Sequence, residues 1–139
     1  MALLDVNVLV ALAWDSHIHH AAARAWFSAR APAGWSTCSV TETGFVRVSS
    51  NPKVLPSPIS VAEATRVLAA ICGAPGHSFV VDEVSPRDAD MPSLSGHRQV
   101  TDAHLLVLAR RHQLPLVTFD AAVASLAMSG DKVEVLTAL

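Results

Sequence analysis

Short apolar runs alternate with longer segments of helical period along the chain, and that alternation restricts the fold more than any other feature of the sequence. Ala2 to Val6, Trp35 to Cys38, Ser78 to Val81, Leu116 to Phe119 and Val133 to Leu136 are brief, rich in Val and Leu, and bounded by breakers, which predicts five strands buried on both faces. Helical spacing predicts helices at Asn7 to Trp14, His20 to Arg30, Val40 to Ser49, Val61 to Cys72, Thr101 to His112 and Ala121 to Met128. Parallel strands need crossover connections of this length. The expected fold class is α/β: an α/β/α sandwich with a mostly parallel central sheet of about five strands flanked by helices. Pro- and Gly-rich stretches predict loops at Arg30 to Gly34, Asn51 to Pro58, Gly73 to His77 and Ser85 to Gly96. Ser60 with Glu63 fits a capping box, as does Ser39 with Glu42.

Composition narrows the classes of function. With 139 residues, 51% of them hydrophobic and 16% charged, the chain suits one domain over 1–139 with a packed core rather than extensive disorder. A formal charge of −2 excludes a broad polycationic surface, so contact with nucleic acid has to be local. Cys38 and Cys72 lie too far apart for a CxxC pair, and two cysteines make no disulfide framework, which suggests a reducing compartment. The first apolar run is interrupted by Asp5 and Asn7 and ends at Asp15, short of a membrane span. A cytoplasmic protein without membrane contact is expected. Neither GxGxxG nor GxxxxGK[ST] occurs, which argues against nucleotide-binding folds.

Four acidic residues fall at strand-to-helix junctions, where ligands bind in open α/β sheets. Asp5 and Asp120 each end an apolar strand, Asp102 opens a helix, and Glu42 sits in the first turn after Trp35 to Cys38. Taken singly, each has a structural explanation as a cap or as a charge favouring a helix N-terminus. Taken together, in one pocket, each pair at about 5 Å and an effective dielectric near 20 would repel by roughly 3 kcal/mol. Such a group either binds protons or holds a divalent cation. Oxygen ligands alone favour Mg²⁺ or Mn²⁺ over Zn²⁺, and Mg²⁺ usually completes its shell with water and substrate phosphate.

Leu4-Asp5-Val6-Asn7-Val8-Leu9-Val10, Thr41-Glu42 ahead of an apolar helix, Thr101-Asp102-Ala103 and Leu116-Val117-Thr118-Phe119-Asp120 together resemble the PIN-domain ribonucleases, and among them the VapC toxins of type II toxin–antitoxin systems. The resemblance runs from Leu3 almost to the C-terminus. It implies a PIN-like sandwich and a Mg²⁺-dependent endoribonuclease, with Mn²⁺ as a substitute, that cleaves RNA and is inhibited by a cognate VapB-type antitoxin. It also implies a homodimer. Asp5, Glu42, Asp102 and Asp120 match the family's acidic quartet. On that basis Asp5, Asp102 and Asp120 are the expected metal ligands, Glu42 holds water or a second ion, and Asn7 and Thr118 orient Asp5. Val6 stands where the family often has Thr or Ser, and Ala121-Ala122-Val123 follows Asp120 without a charged neighbour.

Arg47 and Arg98 are the expected phosphate contacts, with Arg24 a further candidate. Trp14, Trp26, Trp35, Phe27 and Phe45 are expected in the core or an interface rather than as base-stacking platforms. His17, His19 and His20 read as a helix entrance, because no acidic partner or fourth ligand lies nearby in sequence. Helices Asn7 to Trp14 and Val40 to Ser49, apolar on more than one side, suggest association. Two rival classes remain: a phosphatase or structure-specific nuclease with the same acidic pocket, and a non-catalytic interaction domain that has lost the chemistry. Cleavage assays on RNA, structured DNA and a phosphate monoester separate them.

Overall fold

Strand side chains alternate between two apolar clusters, and this sets the layering. In a computed structural model describing residues 1–55, 57 and 59–138, five strands form one sheet: β1 (Leu3–Leu4), β2 (Trp35–Cys38), β3 (His77–Val80), β4 (Leu116–Thr118) and β5 (Val133–Val135). Their order is β3-β2-β1-β4-β5, and every neighbouring pair is parallel. Leu4, Trp35 and Val117 point into a cluster with α1 (Val6–Ala13), α2 (His20–Arg30), α3 (Ser39–Ser49) and α4 (Val61–Cys72). Leu3, Cys38, Val80 and Leu116 point the other way, onto α5 (Val100–Arg111) and Val123 of α6 (Ala121–Ser125). The expected α/β/α sandwich is thus present, built by side chains of period two between helical layers. Pro56 and Pro58, at the end of the expected Asn51 to Pro58 loop, and Leu139 lie outside the described residues.

Several boundaries differ from the sequence expectation for identifiable reasons. β1 keeps two residues rather than five because Asp5, with φ −68° and ψ 159°, caps α1, its Oδ1 accepting from the Val6 N–H at 2.7 Å. α6 ends at Ser125, short of Met128, and the chain turns at Gly130 (φ +92°) while Asp131 accepts from the Met128 N–H at 2.8 Å. The Ser60 cap is present, its Oγ accepting from the Glu63 N–H at 3.1 Å. The proposed Ser39–Glu42 box is not. α3 starts one residue earlier, with Cys38 as its cap, and the Cys38 N–H donates to Thr41 Oγ1 at 3.0 Å.

The apolar surface of α1 is covered within the chain. Val8, Leu9, Val10, Ala11 and Leu12 are all buried between the sheet, α2 and α3, so this helix requires no second copy to cover it. Trp35 and Phe45 are fully buried and Trp26 nearly so, as expected of core aromatics. No helix among the described residues is long and apolar enough to cross a membrane.

One glycine is sterically fixed. Gly76 precedes β3 with φ +90°, and a Cβ there would meet the Ala31 carbonyl oxygen at 2.3 Å. Its own carbonyl accepts from the Trp35 N–H at 2.9 Å, so the turn cannot shift without breaking into the β2–β3 pairing. Gly76→Ala is expected to cost more than about 2 kcal/mol, since positive-φ strain and a backbone clash add. A denaturation midpoint unchanged by this substitution would contradict the assignment.

Candidate active site

The C-terminal ends of β1 and β4 are adjacent, so the caps that follow them come together. Thr118 Oγ1, fully buried, donates to Asp5 Oδ2 at 2.8 Å and accepts from the Asn7 amide at 3.1 Å and the Asp120 N–H at 3.0 Å. Asn7 Oδ1 in turn accepts from the Phe119 N–H at 3.1 Å. One hydroxyl and one amide therefore tie the start of α1 to the start of α6. Asp5, only 7% exposed, has both oxygens held, while Asp120 caps α6 through the Ala122 N–H at 2.9 Å. Asp102, in the first turn of α5, faces the same space. Asp5, Asp102 and Asp120 line one cleft of about 400 Å³ together with Asn7, Thr101, His17 and Arg47.

The structure does not bring Glu42 into this group. Its Oε2 accepts from the Thr37 hydroxyl at 2.5 Å and lies 4.0 Å from Cys72 Sγ, beside the strands β2 and β3. From α3 it is Arg47 and Val48 that border the cleft, and Thr43, four residues before Arg47 on the same face, borders with it an adjoining cavity toward Val6, Gly44 and Thr101. Adjacent helical residues point about 100° apart, so the cap at Cys38 rather than Ser39 sets which side Glu42 takes. Of the expected phosphate contacts, Arg47 lines the cleft. Arg98 is exposed in a single helical turn ahead of α5, and Arg24 borders a different cavity against Leu12, Phe27 and Ile71.

His17, expected from the sequence at a helix entrance, also lines the cleft. Its Nδ1 accepts from the His19 N–H at 3.0 Å, which places the proton on Nε2 when the ring is neutral. Burial and the neighbouring His19 and His20 lower its pKa. The other two histidines have structural partners, His19 stacking on Phe119 at 4.5 Å and His20 Nδ1 bonding the Ala11 carbonyl at 2.8 Å. The sequence offered no signal for His17, because its neighbours in the cleft come from α1, α3 and α5.

Residues 2–127 match the PIN domain family. The chain belongs to the PIN-domain family, in its VapC branch. It is 63% identical to Ribonuclease VapC38 of Mycobacterium tuberculosis (strain ATCC 25618 / H37Rv) over the full length of both chains. It is 49% identical to Ribonuclease VapC39 of Mycobacterium tuberculosis (strain CDC 1551 / Oshkosh), covering 93% of this chain and 95% of that one. Two solved structures share the fold at low identity. The Mycobacterium tuberculosis VapC20 crystal structure, described as a Sarcin-Ricin loop cleaving toxin, aligns with TM-score 0.64 at 12% identity, covering 95% of this chain and 99% of that one. VapBC2 from Rickettsia felis, bound to a DNA fragment from their promoter, aligns with TM-score 0.66 at 11% identity and 98% coverage of each.

In this VapC-type PIN domain the carboxylates strain one another. Burial, then the charges of Asp5 and Asp120, push the Asp102 carboxyl up to about 6, and no hydrogen bond offsets them. Asp5 is also raised, chiefly by burial, against the opposing bonds from Thr118 and Val6. The donor set consists of oxygens only, and an added divalent cation would relieve both burial of charge and repulsion, so these residues fit a hard ion such as Mg²⁺.

A pH dependence follows with a definite sign. A carboxyl raised in the folded state stabilises the metal-free protein at low pH, and that contribution fades as pH rises from about 4 through about 6. Cation binding requires the ionised form, so Mg²⁺ affinity is expected to fall by up to about tenfold per pH unit below about 6. Calorimetric Mg²⁺ titrations across that range check it, and an affinity flat with pH would contradict it.

Proposed function

We propose that this PIN domain is a divalent-metal-dependent endoribonuclease that hydrolyses RNA phosphodiesters, a VapC-type toxin controlled by a VapB-type antitoxin. The observation that carries the reading is the convergence of Asp5, Asp102 and Asp120 in one cleft, and the ribonuclease names of its closely similar relatives support it. Asp5, Asp102 and Asp120 hold Mg²⁺, for which Mn²⁺ substitutes. When bound, the ion supplies an activated water and neutralises charge developing on the scissile phosphate.

The remaining roles belong to the chain. Thr118 and Asn7 fix the Asp5 carboxylate and the approach of Asp120 through the bonds described above. Arg47, on the cleft wall, contacts the RNA phosphate, with Arg98 reaching the strand farther out. An antitoxin presenting a basic side chain would oppose the same negative charge and block the cleft. The whole of 1–139 works as one unit in the cytoplasm, and two copies associate as a homodimer.

The test compares cleavage of single-stranded RNA, structured DNA and a phosphate monoester, with Mg²⁺ and with chelator. RNA cleavage restored by Mg²⁺ is expected. Turnover of the monoester alone, or DNA cleavage alone, would overturn the assignment in favour of a phosphatase or a structure-specific nuclease, and no turnover at all would favour a non-catalytic domain.

Because Glu42 is directed at Thr37, Glu42→Gln is expected to lower the rate no more than about tenfold, within the range for groups outside direct ligation. Initial rates at saturating Mg²⁺ check this, and a loss as large as that of Asp102→Asn would mean that Glu42 reaches the cleft during turnover.

A further inference from the structure

The same Glu42 that leaves the aspartate cleft meets two other metal-binding side chains. Cys72 ends α4 and His77 begins β3, five residues apart across the turn fixed by Gly76. One donor atom each from Glu42, Cys72 and His77 lies within 4.8 Å of the other two, and all three residues are half-buried. The Thr37 hydroxyl sits among them, 2.5 Å from Glu42 Oε2 and 2.8 Å from His77 Nε2. The imidazole packs against Trp35 of the neighbouring strand, with ring centroids 4.6 Å apart.

We propose that Glu42, Cys72 and His77 form a second, chemically distinct metal site that takes a borderline ion of the Zn²⁺ type. One sulfur, one imidazole nitrogen and one carboxylate oxygen match zinc and not magnesium, which keeps to oxygen ligands. Three donors from protein leave a fourth position for water. Bonds of about 2.0–2.3 Å require the donors to close in by roughly 1 Å, which their side-chain torsions can supply. On binding, the Cys72 thiol gives its proton to solvent and the thiolate takes the metal, while His77, whose Nε2–H donates to Thr37, shifts that proton to Nδ1 through solvent and turns the Nε2 lone pair to the metal.

Without metal, burial and the nearby Glu42 charge push the Cys72 thiol up, and burial lowers the His77 pKa against the opposing Glu42 charge, which favours the neutral imidazole. The site would fasten α3, α4 and β3 together, with Glu42 adjoining Thr43 of α3. It stands independently of the ribonuclease reading.

The test uses the full chain carrying Asp5→Asn and Asp102→Asn, which removes the oxygen site as a competitor, titrated with Co²⁺ in excess Mg²⁺. A thiolate-to-cobalt charge-transfer band in the near ultraviolet, saturating at one equivalent and displaced by Zn²⁺, is the expected result. Cys72→Ser, which preserves shape, is expected to abolish the band and the Zn²⁺-dependent rise in melting temperature, and His77→Asn to weaken binding at least about tenfold. Circular dichroism confirms that each variant is folded. Absence of the band, or its persistence in folded Cys72→Ser, would overturn the proposal.

Discussion

Asp102→Asn is expected to reduce Mg²⁺-dependent RNA cleavage by more than about 100-fold while making the metal-free protein more resistant to heat. Loss of groups that merely orient ligands costs up to about that factor, and loss of a ligand charge costs more. The stability gain has a separate origin. Asp102 is disfavoured by burial and by Asp5 and Asp120, with no hydrogen bond in return, so an uncharged amide of the same shape relieves the strain. The increment in melting temperature that Mg²⁺ gives the native protein should vanish in the same variant. Asp5→Asn should show the same loss of cleavage with less gain in stability, because Asp5 also accepts from Val6 and Thr118. Undiminished cleavage by both variants at equal folded concentration would remove the basis for metal ligation. A fall in both cleavage and metal-free stability would assign Asp102 a structural role instead.

Trp35→Ala is expected to carry the largest cost in stability, about 3–5 kcal/mol. The indole is fully buried at the start of β2, edge-on to Phe27 at 5.0 Å and beside His77 of the neighbouring strand. Its Nε1–H donates to the Pro75 carbonyl at 3.2 Å, so truncation also orphans an acceptor in the turn that positions Gly76. Trp35→Phe should recover part of the loss by refilling the cavity without that bond. Denaturant unfolding of both variants measures this. A loss below about 1 kcal/mol for the alanine variant would mean that the β2–β3 layer repacks around the gap.

The layering was legible because strand period and helix period are properties of local sequence. Leu3 and Leu4 point to opposite clusters, as adjacent strand residues must, and the crossover lengths dictated parallel pairing. The meeting of Asp5, Asp102 and Asp120 was foreseeable because each follows from position at a strand end or helix start, and ends of parallel strands lie on one side of the sheet. The orientation of Glu42 was not. It depends on helical phase, and the Cys38–Thr41 cap that sets the phase is a less usual pairing than Ser39 with Glu42. His17 and the Cys72–His77 turn were equally hidden, since their partners are distant in sequence and are brought close only by packing. The apolar character of α1 pointed to association, yet α2 and α3 cover it within the chain.

Anomalous diffraction from crystals of the full chain grown with Mn²⁺ tests most directly whether a cation binds among the three aspartates. The predicted result is a peak within about 2.1–2.3 Å of carboxylate oxygens of Asp5 and Asp102, beside Asp120, that is lost in Asp102→Asn. Manganese found only elsewhere, or Asp5 and Asp102 directed into separate spaces, would contradict it.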